Sequence, residues 1–376
     1  MADQFVTVTR TGWFSNIINS FVGVLFGIIL FLVAFPVLWF NEGRTNMATV
    51  AQSSVLVDGT SVNAQTEGKQ VAVAGTLASN EQLGDPPYLA EGAYVQLNRN
   101  VEMFAWVEHK STDTRKDVGG SSTTTTTYTY EKQWTSSPDD SDTFEHPQGH
   151  TNPPLPVQST TIVVSSASVG AYAINPADIT LPSGQDIRLN SEMVTTNKNR
   201  RLVGNYILLG AGSSDTPQLG DIRISYNGVP ANTRAIAFGK QQGATLIPYL
   251  TAKNDRLYRV FLNTDRAGAI QEMNTEYTVI GWVLRLVGFL MMWIGLCLCF
   301  GPITTFLDVL PFLGSAGRFV VGLVAFPVAL VLSIITIVIS ILAHNILALI
   351  VVLGLLIGGV MLWSRVRKQR VQPAAM

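Results

Sequence analysis

With 376 residues the chain has room for two or three domains, yet only 14% of them are charged, against roughly 25% in soluble domains. The net charge of -1 is unevenly spread: residues 45–276 hold 17 Lys and Arg against 23 Asp and Glu, a net of -6, and the two ends together carry +5. An acidic middle excludes nucleic-acid binding there. Both cysteines, Cys297 and Cys299, lie in one apolar run, so the middle holds no disulfide and no thiolate metal site.

In the first 20 residues, Trp13, Phe14, Ile17 and Ile18 predict a short interfacial helix. It leads into Phe21–Phe40, a charge-free run of 20 residues, which as a helix spans about 30 Å and matches a bilayer core. The run is longer than the apolar part of a signal peptide and ends in Leu38-Trp39-Phe40, an interfacial anchor and not a cleavage site. We read it as a retained first transmembrane helix. Gly23 and Gly27 form a G-x-x-x-G, which is either a packing face or the ordinary content of a Gly-rich membrane helix. Gly43 then ends or bends the helix, and Arg44 sits at the headgroups. Met47, Val50 and Ala51 keep helical spacing, so a helix resumes between Thr45 and Val57.

From Gly68 to Pro248 the texture is that of strands. Short runs rich in Val, Ile, Thr and Tyr alternate with Gly, Pro, Asn and Asp: residues 71–75, Tyr94–Leu97, Val101–Val107, Thr123–Trp134, Thr160–Val164, Tyr206–Leu209, Ile222–Tyr226 and Arg234–Phe238. Ser111–Thr127 reads as a hairpin tip or loose loop, and the Pro-rich Ser136–Pro156 as extended chain and turns. Gln82-Leu-Gly-Asp85 is echoed by Gln218-Leu-Gly-Asp221, too short a match to establish a duplication.

Thr264–Val279 reads as a helix that Asp265 can cap, running into a second span at Val279–Phe300. Arg285 lies inside that span and is expected to snorkel to the interface beside Trp282, the alternative being an interhelical partner. Gly301-Pro302 stops the helix. Residues 302–317 follow as an amphipathic surface stretch, with Ile303, Phe306, Leu307 and Leu310 on one side and Asp308 on the other. Phe319–Trp363 is 45 residues without Asp, Glu, Lys or Arg; one helix would be about 67 Å long, so we expect two spans, Phe319–Ala343 and Ile346–Trp363, turning at His344-Asn345. Ala325, Ala329 and Ser333 in the first arm, and Gly354 and Gly358 in the second, are candidate helix-packing positions. Pro327 is placed to kink the first arm.

The fold class expected is therefore a membrane protein, α+β, with four transmembrane helices, one N-terminal and three C-terminal, plus a β-rich extramembrane domain. Its parts are residues 1–44, the β-rich 45–276, the three-helix 277–364 and a basic tail, 365–376. Arg365, Arg367, Lys368 and Arg370 put the C-terminus in the cytoplasm by the positive-inside rule. Four spans return the N-terminus to the same side and set the β-rich part in the periplasm of a bacterial inner membrane, or in a lumen if the source is eukaryotic.

Chemistry is sparse. His146 and His150 stand four apart, with Asp139, Asp140, Asp142 and Glu145 upstream, which makes a metal site conceivable, but Pro147 and Gly149 argue against the helix that such spacing needs. A solvated acidic loop is the plainer reading. No H-E-x-x-H, G-x-S-x-G, phosphate-cradling loop or dinucleotide fingerprint is present. The spans lack the interior polar groups of a channel or carrier.

Several blocks carry a resemblance: Asn41-Glu42-Gly43-Arg44 after the first span, residues 101–108 with Glu102, Trp106 and Glu108, and residues 128–134 ending in Trp134. So do Gly149-His150-x-Asn152-Pro153, Leu219-Gly220-Asp221-Ile222-Arg223 and the stretch 241–248. In order and spacing, with one span before and three after, the chain resembles the transmembrane protein 43 (LUMA) family, and would be a bacterial member. The resemblance implies a multi-pass scaffold that self-associates in membrane lipid and meets other membrane proteins, with no catalytic residue and no cofactor to carry over. In animals the family resides in the endoplasmic reticulum and inner nuclear membrane. The motif residues would then hold the fold together. The expectation is a non-enzymatic membrane organiser; a lipid- or ligand-binding sensor, and a metal-dependent hydrolase built on Asp139–His150, are the other readings.

Overall fold

The computed structural model describes Asp3–Asn345 together with Leu349, Ile350, Met361 and Trp363. In chain order it contains β1 (Asp3–Thr11), α1 (Trp13–Glu42), α2 (Met47–Gln52), β2 (Val55–Asp58), β3 (Gln70–Ala78), β4 (Leu83–Asp85), β5 (Leu89–Gly92), β6 (Tyr94–Lys116) and β7 (Ser122–Thr135). β8 (Thr160–Val163), β9 (Ala167–Val169), β10 (Tyr172–Ile174), β11 (Gln185–Asp186), β12 (Arg200–Val203), β13 (Tyr206–Leu209) and β14 (Ile222–Pro230) follow. β15 (Thr233–Gln242), β16 (Thr245–Ile247), β17 (Tyr249–Leu250), β18 (Arg256–Leu257) and β19 (Arg259–Leu262) lead to α3 (Arg266–Cys299), α4 (Gly301–Leu307) and α5 (Pro311–His344).

These elements form two compact units. One comprises Met1–Val8, Asn46–Asp113 and Thr125–Tyr277; the other comprises Thr9–Thr45, Thr114–Thr124 and the chain from Thr278. The division departs from the boundaries expected at 45 and 276, because the tip of the β6–β7 hairpin goes with the helices and the start of β1 goes with the sheets.

In the first unit an eight-stranded sheet runs β1-β7-β6-β14-β13-β12, with β8 on β6 and β11 on β14. A seven-stranded sheet runs β19-β15-β16-β10-β9-β3-β2. One apolar core draws on both, from Val95, Leu97, Val101 and Met103 of β6 to Val71 and Val73 of β3 and Val260 of β19. The odd-numbered residues of β6 from Val95 to Ala105 point into it, as a strand's period of two dictates. Arg99 shares that face, so it needs a partner. Asp85 supplies it through both oxygens at 2.9 and 2.8 Å, and also accepts the Tyr226 hydroxyl at 2.6 Å. On β3 and β15, Ala72, Ile236 and Phe238 form a separate core with Ala48 and Ala51 of α2 and Ala269 and Met273 of α3.

Among the described residues, three helices (α1, α3 and α5) are long and apolar enough to cross a membrane, not the four expected. The fourth expected span, Ile346–Trp363 with Gly354 and Gly358, lies almost wholly outside the described residues, as does the basic tail. Phe21, Leu25 and Phe26 on α1, Leu286 on α3 and Leu323 on α5 are exposed, a carbon surface suited to lipid. α3 is one unbroken helix through Tyr277, opened by Asp265, which accepts the Gly268 N–H at 2.8 Å. α5 continues through Pro327.

Three expectations are corrected. Residues before Trp13 form strand β1 beside β7, not only an interfacial helix; Val6 and Val8 alternating with Thr7 and Thr9 carry that signal. Of the two readings of Ser111–Thr127 the loose loop falls and the hairpin tip holds: it is strand except near Asp117–Ser121, and its tip packs in the helical unit, where Asn16 Nδ2 donates to the Gly120 carbonyl at 3.1 Å and the Gly119 N–H to Val309 at 3.0 Å. Asp308 does not face water. Its side chain is 0% exposed, held by Arg318 at 2.6 Å and Lys116 at 3.1 Å.

Candidate functional site

The motif after the first span closes one end of the helical unit. Asn41, buried in the last turn of α1, donates from Nδ2 to the Gly281 carbonyl of α3 at 3.2 Å and accepts Arg44 Nε at 3.1 Å. Glu42 takes Arg285 Nε and Nη2 at 2.8 Å each, a bidentate pair in which the glutamate side chain is only 7% exposed. The guanidinium also lies 5.0 Å from the Trp282 ring. Arg285 thus has an interhelical partner, Glu42, as well as Trp282 beside it.

Gly43 lies against α5: a Cβ there would fall 2.6 Å from His344 Nε2 and would have to push that ring aside. The His344 ring is 5.2 Å from Trp39, and Ser340 donates to the Trp39 carbonyl at 2.8 Å. Four consecutive residues therefore join α1, α3 and α5.

Deeper in the unit, backbones touch where side chains are small. A Cβ on Gly27 would sit 2.8 Å from the Gly295 carbonyl oxygen, and one on Gly295 the same distance from that of Gly27. Ala325, Ala329 and Ser333 are buried, and Ser333 Oγ donates to Ala329 O at 2.5 Å. Gly23 differs, since a Cβ there would meet nothing within 4 Å.

The remaining motif residues gather in the sheet-bearing unit. Gly149, at φ +84°, makes the left-handed turn that sends His150 inward. The His150 ring stacks on Tyr130 at 4.0 Å and meets Trp106 edge-on at 4.8 Å. Its Nδ1 is 2.9 Å from the His146 carbonyl oxygen and its Nε2 is 3.2 Å from an Asp3 carboxylate oxygen. Asn152 mimics a neighbouring strand, accepting the Trp106 N–H at 2.7 Å and donating to the Trp106 carbonyl at 2.9 Å. Pro153 abuts Gly220, whose φ of +89° and close approach to that ring both call for glycine. Asp221 accepts the N–H groups of Gln218 at 2.6 Å and Gly212 at 3.1 Å. Glu102 pairs across strands with Arg223, at 2.6 and 3.0 Å, and the guanidinium covers Trp134 at 4.7 Å.

Tyr130 donates to Glu108 and accepts the His146 N–H at 2.9 Å. Burial, and then the Glu108 carboxylate, pushes its phenol up to about 12. An unfolded tyrosine ionises near pH ~10, so between about 10 and 12 the unfolded chain holds fewer protons and folding loses stability as pH rises. Tyr130→Phe is expected to narrow its stability deficit against wild type across that window, read from thermal unfolding at stepped pH; a constant deficit would show that the phenol is not held neutral. Tyr226 is raised by burial and Asp85 in the same sense and stays as background in both proteins.

The conceivable metal site does not assemble. His146 stacks on Phe5 at 4.3 Å, His150 is enclosed as above, and Asp140 caps a turn through the Asp142 N–H at 3.1 Å. Among the described residues no three His, Cys, Asp or Glu side chains are grouped to hold an ion. Sequence reasoning missed the Glu42–Arg285 pair, the Asp85 network and the burial of Asp308. A charge inside an apolar run was a signal for the first.

Compared with known proteins, residues 103–346 match the family model described as transmembrane protein 43. The chain is 28% identical over 284 residues to the transmembrane protein 43 homolog of Drosophila melanogaster, covering 72% of this chain and 74% of that one. Against transmembrane protein 43 of Mus musculus it is 27% identical over 350 residues, 87% of this chain and 86% of that one. Against that of Homo sapiens it is 25% identical over 351 residues, 88% and 86% respectively. No solved structure matches the chain.

Proposed function

The chain belongs to the transmembrane protein 43 family, and from that premise we propose that it is a non-enzymatic multi-pass membrane scaffold that self-associates and presents its sheet-bearing unit to partners. One observation carries this reading: the motif residues direct their polar atoms into the fold. Glu42 is taken up by Arg285, Glu102 by Arg223, Asn152 by the Trp106 backbone and Asp221 by two N–H groups. Groups so engaged are well fitted to hold a shape.

A second feature supports assembly. β2 ends the seven-stranded sheet, and Val55 and Leu56 are exposed there at 42% and 58%. An apolar sheet edge is a template for pairing with another chain. The basic tail supports a cytoplasmic C-terminus. With a further span after α5, the His344 end of α5 and the Trp39 end of α1 beside it face the periplasm of a bacterium or a eukaryotic lumen.

Co-expression of two differently tagged copies tests self-association. Capture through one tag is expected to retrieve the other copy from detergent extract, and not when separately expressed membranes are mixed after extraction. Retrieval of the captured copy alone, at equal expression, would overturn the proposal.

A further inference from the structure

At the Trp13 end of the helical unit lies a cavity of about 570 Å³, within the ~300–1,000 Å³ range of small-molecule sites. Its place is set by the apolar runs. Ser20, on its wall, immediately precedes the charge-free run Phe21–Phe40 of α1. Arg318 immediately precedes the run that starts at Phe319 of α5. Leu298 lies at the close of α3, just before the break at Gly301. The cavity therefore stands at the level where acyl chains give way to headgroups.

Two glycines one helical turn apart explain why the space exists. At Gly27 the backbones of α1 and α3 touch; at Gly23, one turn toward the boundary, a Cβ would meet nothing within 4 Å, and beyond it Gly301 again lies beside Ser20. The wedge between these two contacts is walled mostly by carbon, while its rim is charged. Lys116 and Arg318 both line it, and between them stands Asp308, fully buried. The Asp308–Lys116 contact is an ion pair at 3.1 Å, and Arg318 uses one nitrogen, Nη1, on the other oxygen at 2.6 Å. Two cations against one carboxylate leave a net charge of +1. Arg318, 45% exposed, keeps donors beyond that bond.

A carbon-walled wedge with a net positive rim at headgroup depth fits an amphiphilic anion. We propose that this cavity binds the phosphodiester headgroup of an anionic glycerophospholipid, the phosphate on Arg318 and Lys116 and the glycerol end of an acyl chain in the wedge beside Gly23. Asp308 orients the two cations and does not contact the ligand. This site does not depend on self-association, and its test reads lipid, not chain number.

The test uses the full chain in nanodiscs of mixed phosphatidylcholine and phosphatidylglycerol, then native mass spectrometry of the lipid retained after transfer to detergent. Wild type is expected to retain phosphatidylglycerol in preference to phosphatidylcholine. Gly23→Leu fills the wedge without touching the charges and should abolish that preference while leaving thermal unfolding intact. Arg318→Gln should weaken it roughly fivefold, the scale for one basic residue at an anionic surface. Equal retention of both lipids by wild type, or an undiminished preference in Gly23→Leu, would overturn the proposal. So would inorganic phosphate that displaces the lipid and stabilises the detergent-solubilised protein as much as phosphatidylglycerol does, since the site would then be one for the free anion.

Discussion

Glu42→Ala is expected to destabilise the helical unit by about 3–5 kcal/mol, the scale for removing one partner of a buried ion pair. The glutamate side chain is nearly closed off, and both its oxygens lie 2.8 Å from Arg285 nitrogens. Without it the guanidinium loses both carboxylate contacts on a membrane helix, and a charge that loses its counter-charge there is costly. Asn41 also loses an acceptor, at 3.0 Å, though it keeps Gly281. The double variant Glu42→Ala with Arg285→Met should recover most of the loss, because both members of the ion pair are then removed together. Thermal unfolding in detergent measures both. A single variant that melts within about 1 kcal/mol of wild type, the worth of a surface pair, would show that the pair does not lock the helices.

Asp85→Ala is expected to cost the sheet-bearing unit a similar amount, about 3–5 kcal/mol. Asp85 is the acceptor for an inward-facing arginine and for a fully buried tyrosine hydroxyl. Its loss leaves Arg99 in the core with the Gln158 carbonyl at 3.0 Å as its remaining acceptor, and Tyr226 with a stranded O–H. Tyr226→Phe should cost less, about 1–2 kcal/mol, since it removes a donor and leaves the ion pair. If the two variants melt together, the arginine is not what Asp85 holds.

The membrane character was legible because it is written in composition. A run such as Phe21–Phe40 has one physical use, and the helix found there is longer only at its ends. Strand texture was legible for the same local reason: Tyr206–Leu209 came out with its predicted bounds. β1 was also within reach, but Trp13 and Ile17 just beyond it drew the reading toward helix. What local pattern cannot carry is partnership across the chain. Glu42 and Arg285 are 243 residues apart. Asp308, on the polar side of an amphipathic stretch, looked solvated, and only Lys116, brought in by a distant hairpin, reveals that it is buried. Gly23 and Gly27 are alike in sequence and differ in use, because which of them meets the α3 backbone is set by residues near Gly295, far along the chain.

The scaffold reading turns on how many chains occupy one particle. Extraction of the protein with its surrounding bilayer into polymer-bounded nanodiscs, followed by single-particle mass measurement, counts them without detergent. The account predicts a discrete mass set by two or more copies, independent of expression level. Particles that carry one chain throughout would contradict it.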